Sequence, residues 1–332
     1  MIGLARDQRI LLPVAGAHLT EMAPVAGRRR RDLAATILGL CRGWQMQNPV
    51  RVRGQEFAAS MLGQDPVAAD VFTLEPGVLF TQGPAPPAPM PGAPPDLAEI
   101  LTRVIAISAL YSAMLEDEPV DMGEGKAAAE RWATNFPQLA MYMREQRMSA
   151  EHARINARAR LIADQGEDIA RAADHAGVTQ KRFAEWLADE FPEDLARMPY
   201  VGRLGEVLYL RLRNADDKWE AHDLNDMNFL CAAAAYADVT VGEKKTIEYL
   251  RRVEPQVCPG LTALLTAQRG CRGFVGPGGS AVTNVTILVG SQSPSRKPNH
   301  NRTTTERRAL LSSSEPTRLG GVPQDPPGGV SR

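Results

Sequence analysis

Three acidic residues between positions 223 and 243 have a spacing that suits a carboxylate cluster. Asp223 and Asp226 lie one helical turn apart before an alanine-rich apolar run, and Glu243 comes after the short β-branched run at 239–241. If the first run is a helix and the second a strand, these acids can meet at one edge of a sheet. Clustered carboxylates repel one another and usually need a divalent cation. An amphipathic helix with solvated acids at its N-terminus is the alternative interpretation.

The elements that would position these acids are predicted from apolar periodicity. Residues 10–14 are predicted as a short buried strand and residues 28–44 as a helix with one apolar face. The stretch 83–95 holds seven prolines in thirteen residues and is predicted as an exposed linker. Helices are then predicted at 96–116, 124–146, 149–175, 179–190 and 193–213. The predicted N-caps in this region are Asp96, Ser149 and Thr179.

Two segments carry a resemblance to a known family. Residues 223–245, DLNDMNFLCAAAAYADVTVGEKK, resemble the C-terminal half of a PIN-like nuclease domain. In that family a helix begins with an acid, runs through small apolar residues and leads to a strand that ends near a second acid. Residues 10–22, ILLPVAGAHLTEM, resemble the family's strand and helix that carry another site acid. The order of the two segments along the chain agrees with the family.

The resemblance implies a fold, an activity and a set of site residues. The fold would be an α/β, three-layer PIN-like core with a short parallel sheet, a large all-helical insertion and a disordered C-terminal tail. The activity would be metal-dependent hydrolysis of RNA phosphodiesters, with Mg²⁺ or Mn²⁺ as the cofactor and RNA as the partner. Glu21, Asp226 and Glu243 would be the catalytic acids and metal ligands, and Asp223 would be a ligand or would lie beside them.

One acid of the family pattern has no counterpart here. The family's first strand ends in an Asp upstream of the segment matched by residues 10–22, and the residues before Ile10 contain no apolar strand followed by Asp. Asp7 lies in a polar stretch and is a poor substitute. The chain is therefore expected to be an N-terminally truncated or degenerate member. A non-catalytic PIN-like module that binds RNA, a protein partner or an inhibitor is the first alternative function.

Composition and the resemblance together predict five regions. They are the N-terminal part of the core at 1–75, the proline-rich linker at 76–95, the helical insertion at 96–195, the C-terminal part of the core at 196–270 and a tail at 271–332. The tail is rich in Ser, Thr, Pro, Gly and Asn and loses apolar periodicity, so it is expected to be disordered. Its one β-prone patch is at 281–290.

Basic residues offer two possible contacts with nucleic acid. Arg28, Arg29, Arg30 and Arg31 form a local cluster that would bind an RNA backbone, or would be a solvated helix start. Residues 174–187 resemble the turn and second helix of a helix-turn-helix, with Lys181 and Arg182 as the basic residues. A DNA-binding regulator is therefore the second alternative function, although a simple helical hairpin explains the pattern better.

The remaining composition excludes several classes of protein. The net charge of −1 gives no overall field toward nucleic acid or membrane, and the four cysteines have no CxxC spacing. Walker, GxGxxG, GxSxG and HExxH motifs are all missing from the sequence. The most apolar helix, around 104–115, is too short to span a bilayer, so a cytoplasmic protein without membrane contact is expected. His18 and His222 lie beside the predicted acids, and a structural role is the expectation for both.

Overall fold

The computed structural model describes residues 2–7, 9–65, 71–80, 94, 96–116, 123–257, 263–266 and 283–287. Helices dominate this part of the chain. The N-terminal elements are α1 (Ile2–Arg6), β1 (Ile10–Leu11), α2 (Gly16–Met22), α3 (Gly27–Cys41), β2 (Gln45–Met46), α4 (Pro49–Met61) and β3 (Phe72–Thr73). The central elements are α5 (Leu97–Leu115), α6 (Gly123–Glu145), α7 (Ala150–His175), α8 (Gln180–Glu185), a π-helical turn (Trp186–Glu190), α9 (Phe191–Arg197) and α10 (Pro199–Arg213).

The C-terminal elements carry most of the sheet structure. They are α11 (Asp223–Tyr236), β4 (Val239–Gly242), α12 (Lys244–Val253), a 3₁₀ turn (Glu254–Gln256), β5 (Ala263–Thr266) and β6 (Thr283–Ile287). β2 and β3 form an antiparallel pair. β4 pairs in parallel with β5 and with β6, and β6 pairs in parallel with β1. The β-branched run at 239–241 is therefore a buried strand, as the sequence predicts.

The position of β6 corrects two expectations. The sequence predicts residues 10–14 and 239–241 as direct neighbours in one sheet, whereas β6 lies between β1 and β4. β6 also falls inside the tail predicted as disordered, within its β-prone patch, and its two parallel pairings contradict that prediction for residues 283–287. The rest of the tail lies outside the described residues, and so does the predicted proline-rich linker except for residues 76–80 and Pro94.

The hydrophobic core joins segments that the sequence assigns to different regions. α10 is buried along most of its length and packs against α11, α7, α12 and α6. α7 also packs on α4, so the central helices share one core with the segments on either side of them. The described residues up to 287 belong to one compact unit. The predicted helical insertion at 96–195 therefore shares a hydrophobic core with the segments on either side of it.

Local capping explains where several helices begin. The side chain of Ser149 accepts a hydrogen bond from the N–H of His152 at 3.2 Å, and that of Thr179 accepts one from Arg182 at 3.3 Å. Both predicted N-caps are confirmed, since each satisfies a backbone donor that the first helical turn leaves unpaired. Asp96 precedes α5 without a capping hydrogen bond, so its predicted capping role is wrong.

Helix α5 lies within the helix predicted at 96–116, but its apolar stretch is longer than the predicted 104–115. It runs for 19 residues with a mean hydropathy of 1.5 over its most apolar window, of which 17% is buried. Ile100, Val104, Ile107 and Tyr111 are exposed along it. The expectation of a helix too short to span a bilayer is therefore wrong, because length and composition would both allow a span. A buried core helix or a signal sequence would pass the same test.

Candidate functional site: an acidic cluster around Asp226

Asp226 is a buried carboxylate in the first turn of α11. Its exposed fraction is 9%, and its carboxylate forms no hydrogen bond or salt bridge with any residue that the structure describes. Buried carboxylates are normally paired or hydrogen-bonded, because removing a charge from water is costly. Asp226 therefore lacks, within the described chain, the partner that its burial would require.

The residues that act on Asp226 are those that the sequence singled out. Burial raises the pKa of Asp226 to about 7, and the negative charges of Glu243, Glu21 and Asp223 also raise it. His222, in the residue position before α11, lowers it. The fold thus places Glu21 of α2 and Glu243, which follows β4, near enough to Asp226 for their charges to raise its pKa, although both are distant from it in sequence. At neutral pH the charges of this group are incompletely balanced.

The acids do not form a complete ligand set as they stand. Across the described ranges, no group of three or more His, Cys, Asp or Glu residues is placed to hold a metal ion. Glu21 and Glu243 are half-buried. Their carboxylate oxygens are of the type that Mg²⁺ and Mn²⁺ prefer, so the donor atoms suit these cations. Coordination of one cation by several of these acids stays a prediction.

Asp223 differs from Asp226 in being fully paired. Its Oδ2 accepts hydrogen bonds from Nη2 of Arg211 and from the N–H of Glu220, both at 2.8 Å. Its Oδ1 lies 3.6 Å from Nζ of Lys245. Both oxygens are engaged by protein groups, so the structure gives Asp223 a place in an ion-pair network rather than a free ligand position.

This ion-pair network is centred on Arg211, which is buried in α10. Nε of Arg211 donates to Oδ2 of Asp217 at 2.7 Å, and Nζ of Lys245 lies 2.7 Å from the other oxygen of Asp217. Burial raises the pKa of Asp217, but the hydrogen bonds from Arg211 and Lys245 hold it below its ordinary value. Sequence reasoning missed this network. Its sign in the sequence is Arg211, a charged residue among the apolar residues of α10.

The basic cluster at the start of α3 is divided by the fold. Arg30 is 1% exposed and donates to the backbone carbonyls of Ala23, Val25, Ala113 and Met114. It therefore ties α3 to the end of α5, and its predicted contact with nucleic acid is wrong. Arg28, Arg29 and Arg31 are exposed. Arg28 lies 3.7 Å from Asp32 in a solvent-exposed i,i+4 pair.

The two histidines near the acids have different roles. Nδ1 of His18 accepts the N–H of Ala15 at 2.9 Å, which caps the start of α2 and explains the residue structurally. His222 is partly exposed, and its Nδ1 lies 3.5 Å from Glu220. His222 also lowers the pKa of Asp226, so its effect opposes that of the three neighbouring acids.

The helix-turn-helix resemblance does not produce a basic recognition surface. Arg182 donates through Nε to the carbonyl of Met61 at 3.2 Å and pairs with Glu190 through both terminal nitrogens. Lys181 is exposed and lies 3.8 Å from Glu185. The guanidinium of Arg182 therefore faces its own protein, and Gly177 takes a positive φ of 66° in the turn between α7 and α8.

Gly242, the last residue of β4, lies close against α11 and gives a first prediction. A Cβ at residue 242 would lie 2.8 and 2.9 Å from the methyl carbons of Leu230, which is fully buried in α11. We expect Gly242→Ala to lower the free energy of unfolding by about 1–2 kcal/mol, as overpacking does. Gly39→Ala in α3 is the matched control, because nothing lies within 4 Å of its Cβ position. Chemical denaturation should show opposite signs for the two variants, and equal effects would contradict the packing argument.

A scan against models of protein families found no match for this chain, and searches of curated proteins and of solved structures found none either.

Proposed function

We propose that the chain is a metal-dependent ribonuclease of the PIN-like type, with Asp226 as its central acid. The observation that supports this proposal is the Asp226 carboxylate, which is buried and unpaired within the described chain, and whose pKa is raised by burial and by the charges of Glu243, Glu21 and Asp223. A divalent cation is the partner that such a group of carboxylates fits best. The resemblance of residues 10–22 and 223–245 to PIN-like domains supports the same assignment.

Each residue of the cluster has a distinct proposed task. Asp226, with Glu243 and Glu21, would hold Mg²⁺ or Mn²⁺. The bound cation would supply Lewis acidity for the attack of water on a phosphodiester. Asp223 would position the start of α11 through its contacts with Arg211 and Lys245. His222, which lowers the pKa of Asp226, would favour the ionised form of that carboxylate.

The proposed substrate is RNA, held through its phosphates. Arg28, Arg29 and Arg31 are exposed at the start of α3, which follows the helix that carries Glu21. Arginine side chains in such a position can pair with backbone phosphates and orient the chain without reading its sequence. This contact would weaken with rising salt.

A second candidate is a PIN-like module that binds RNA or a protein partner without catalysis. The observation that favours it is that no group of three or more His, Cys, Asp or Glu residues in the described part of the chain is placed to hold a metal ion. The residues before β1 also form helix α1, and Asp7, which follows that helix, is exposed. Weak metal binding combined with RNA affinity that chelation does not change would favour this candidate.

The test is cleavage of RNA by the purified full chain with Mn²⁺. Glu243→Gln is expected to reduce the rate about 100-fold or more, the scale of losing one electrostatic stabiliser at a reacting centre. Glu248→Gln is the matched control, since Glu248 is an exposed residue of the neighbouring helix α12 that pairs with Lys244 at 3.7 Å. Equal rates for the two variants would reject the catalytic role of Glu243. A parent chain that binds RNA without cleaving it would support the second candidate.

A further inference from the structure

A cavity of about 890 Å³ lies among α2, α4, α6, α7 and α11, and none of the four acids of the Asp226 cluster lines it. Its volume is within the range of roughly 300–1,000 Å³ that is typical of small-molecule sites. The polar and aromatic residues that carry the following argument are Arg53, Arg131, Arg160, Trp132, Phe136 and Gln165. The cavity is thus separate in its lining from the proposed nuclease site.

The charge of the lining favours an anion. Four arginines line the cavity and Asp164 is the one acidic residue among its lining. Arg30 is held by backbone carbonyls, Arg53 pairs with Asp168 and Arg160 pairs with Asp164. Arg131 is exposed and has no hydrogen bond or ion pair with any described residue. Its charge is therefore available to a ligand.

The backbone adds to this positive character. Asn48, Pro49 and Val50 line the cavity at the N-terminus of α4, a helix of 13 residues. The N-terminal end of a helix carries a partial positive charge that favours anions. Pro49 has no N–H and that of Val50 already bonds Oδ1 of Asn48 at 3.0 Å, so the start of α4 adds only the field of its dipole to the charge of Arg131.

Gln165 of α7 supplies an independent sign of a missing partner. Gln165 is 6% exposed and lines the cavity. Its Oε1 has no hydrogen-bond partner in the described part of the chain. A buried amide without a partner destabilises a protein, so such groups are rare outside functional sites. A ligand with polar edges would satisfy it.

Aromatic rings form another part of the wall. The rings of Trp132 and Phe136 lie 4.5 Å apart, and Phe136 stacks on Trp219 at 5.1 Å. The guanidinium of Arg160 lies 5.6 Å from the centre of the Phe136 ring. Rings held in this way offer a fixed apolar surface against which a planar group can pack.

We propose that this cavity binds a nucleoside monophosphate. The phosphate would pair with Arg131, the base would pack against Trp132, and the amide of Gln165 would bond a polar edge of the ligand. The combination of an available cation, an aromatic wall and an unsatisfied buried amide selects a ligand with both an anionic group and a polar planar ring. This inference does not depend on the proposed nuclease activity.

The test is calorimetric titration of the full chain with the four 5′-nucleoside monophosphates, their nucleosides and inorganic phosphate. At least one monophosphate should bind more tightly than its nucleoside and than phosphate. Arg131→Gln should weaken that binding about tenfold or more, as expected for a charge-assisted contact. Arg144→Gln, at an exposed position further along α6 that does not line the cavity, should leave it unchanged.

A second variant tests the buried amide. Gln165→Leu should raise the melting temperature of the free protein, because it removes an unsatisfied group, and should weaken binding of the monophosphate severalfold. The proposal is overturned if no monophosphate binds at millimolar concentration, if phosphate alone binds equally well, or if Arg131→Gln and Arg144→Gln bind alike. Unchanged affinity in Gln165→Leu would remove Gln165 from the site.

Discussion

Asp226→Asn is expected to stabilise the cation-free protein at pH 8 by about 2–4 kcal/mol and to abolish Mn²⁺-dependent cleavage of RNA. The first effect follows from the pKa of Asp226, which burial and like charges raise from 3.8 to about 7. A shift of one pKa unit corresponds to about 1.36 kcal/mol between the two protonation states. The second effect follows because an amide keeps the shape of the side chain and removes the charge that would hold a cation.

The pH dependence of this stabilisation has a definite sign. A folded-state pKa above the unfolded value means that the folded protein holds its proton more tightly. The resulting stability is fully present below about pH 4 and is lost as the pH rises through about 7. An asparagine side chain does not titrate, so the variant and the parent should differ little at pH 4 and most at pH 8. Burial also raises the pKa of Glu56 to about 7, and Glu56 therefore contributes the same pH dependence of stability to the parent and to the variant.

Denaturation in urea at pH 4, 6 and 8, with EDTA and then with Mn²⁺, measures both parts of this prediction. Mn²⁺ should stabilise the parent, more strongly at pH 8 than at pH 6, because the cation displaces a proton. It should leave the variant unchanged, and Glu248→Gln should behave as the parent does. A variant that is less stable than the parent at pH 8 would show that the Asp226 carboxylate has a stabilising partner, against the arrangement described above.

The acidic cluster was the part of the site most accessible to sequence reasoning. The start of α11 and the run that forms β4 have strong local patterns, and the short connection between them places Asp226 and Glu243 near each other. Glu21 required the resemblance to PIN-like domains, because its segment contacts α11 only through tertiary packing. The PIN-like identity of the fold and the activity stay predictions.

Other features depended on contacts that no local pattern records. Four consecutive arginines look alike in sequence, and only the packing of α3 on α5 distinguishes buried Arg30 from its exposed neighbours. Asp223 looked like a ligand because its partner Arg211 lies in another helix, 12 positions away. The β-prone patch that contains β6 was not predicted to be an ordered strand, because the composition of the tail around it favours disorder. Its hydrogen bonds come from pairing with β1 and β4, which composition does not show.

Arg211→Leu is expected to lower the free energy of unfolding by about 3–5 kcal/mol, the cost of breaking a buried ion pair by removing one partner. The side chains of Arg211 and Asp217 are 3% and 2% exposed, and the guanidinium also lies 4.1 Å from the Trp219 ring. After the change, Asp217 and Asp223 would have Lys245 as their only cation within the network. Arg213→Gln, at an exposed position of α10 next to Tyr209, should cost far less and serves as the control.

The Arg211→Leu variant should also change the pKa of Asp226 in the acidic cluster. Asp223 raises the pKa of Asp226, and Arg211 now neutralises part of that charge through its 2.8 Å hydrogen bond. Removing Arg211 should therefore raise the pKa of Asp226 further, because it leaves more uncompensated negative charge beside that carboxylate. Adding Asp223→Asn to Arg211→Leu should restore part of the stability and lower the pKa of Asp226 again, because it removes the charge left without a partner. Denaturation and calorimetry on the two single variants and the double variant measure this coupling. Strictly additive effects would show that the ion-pair network does not act on Asp226.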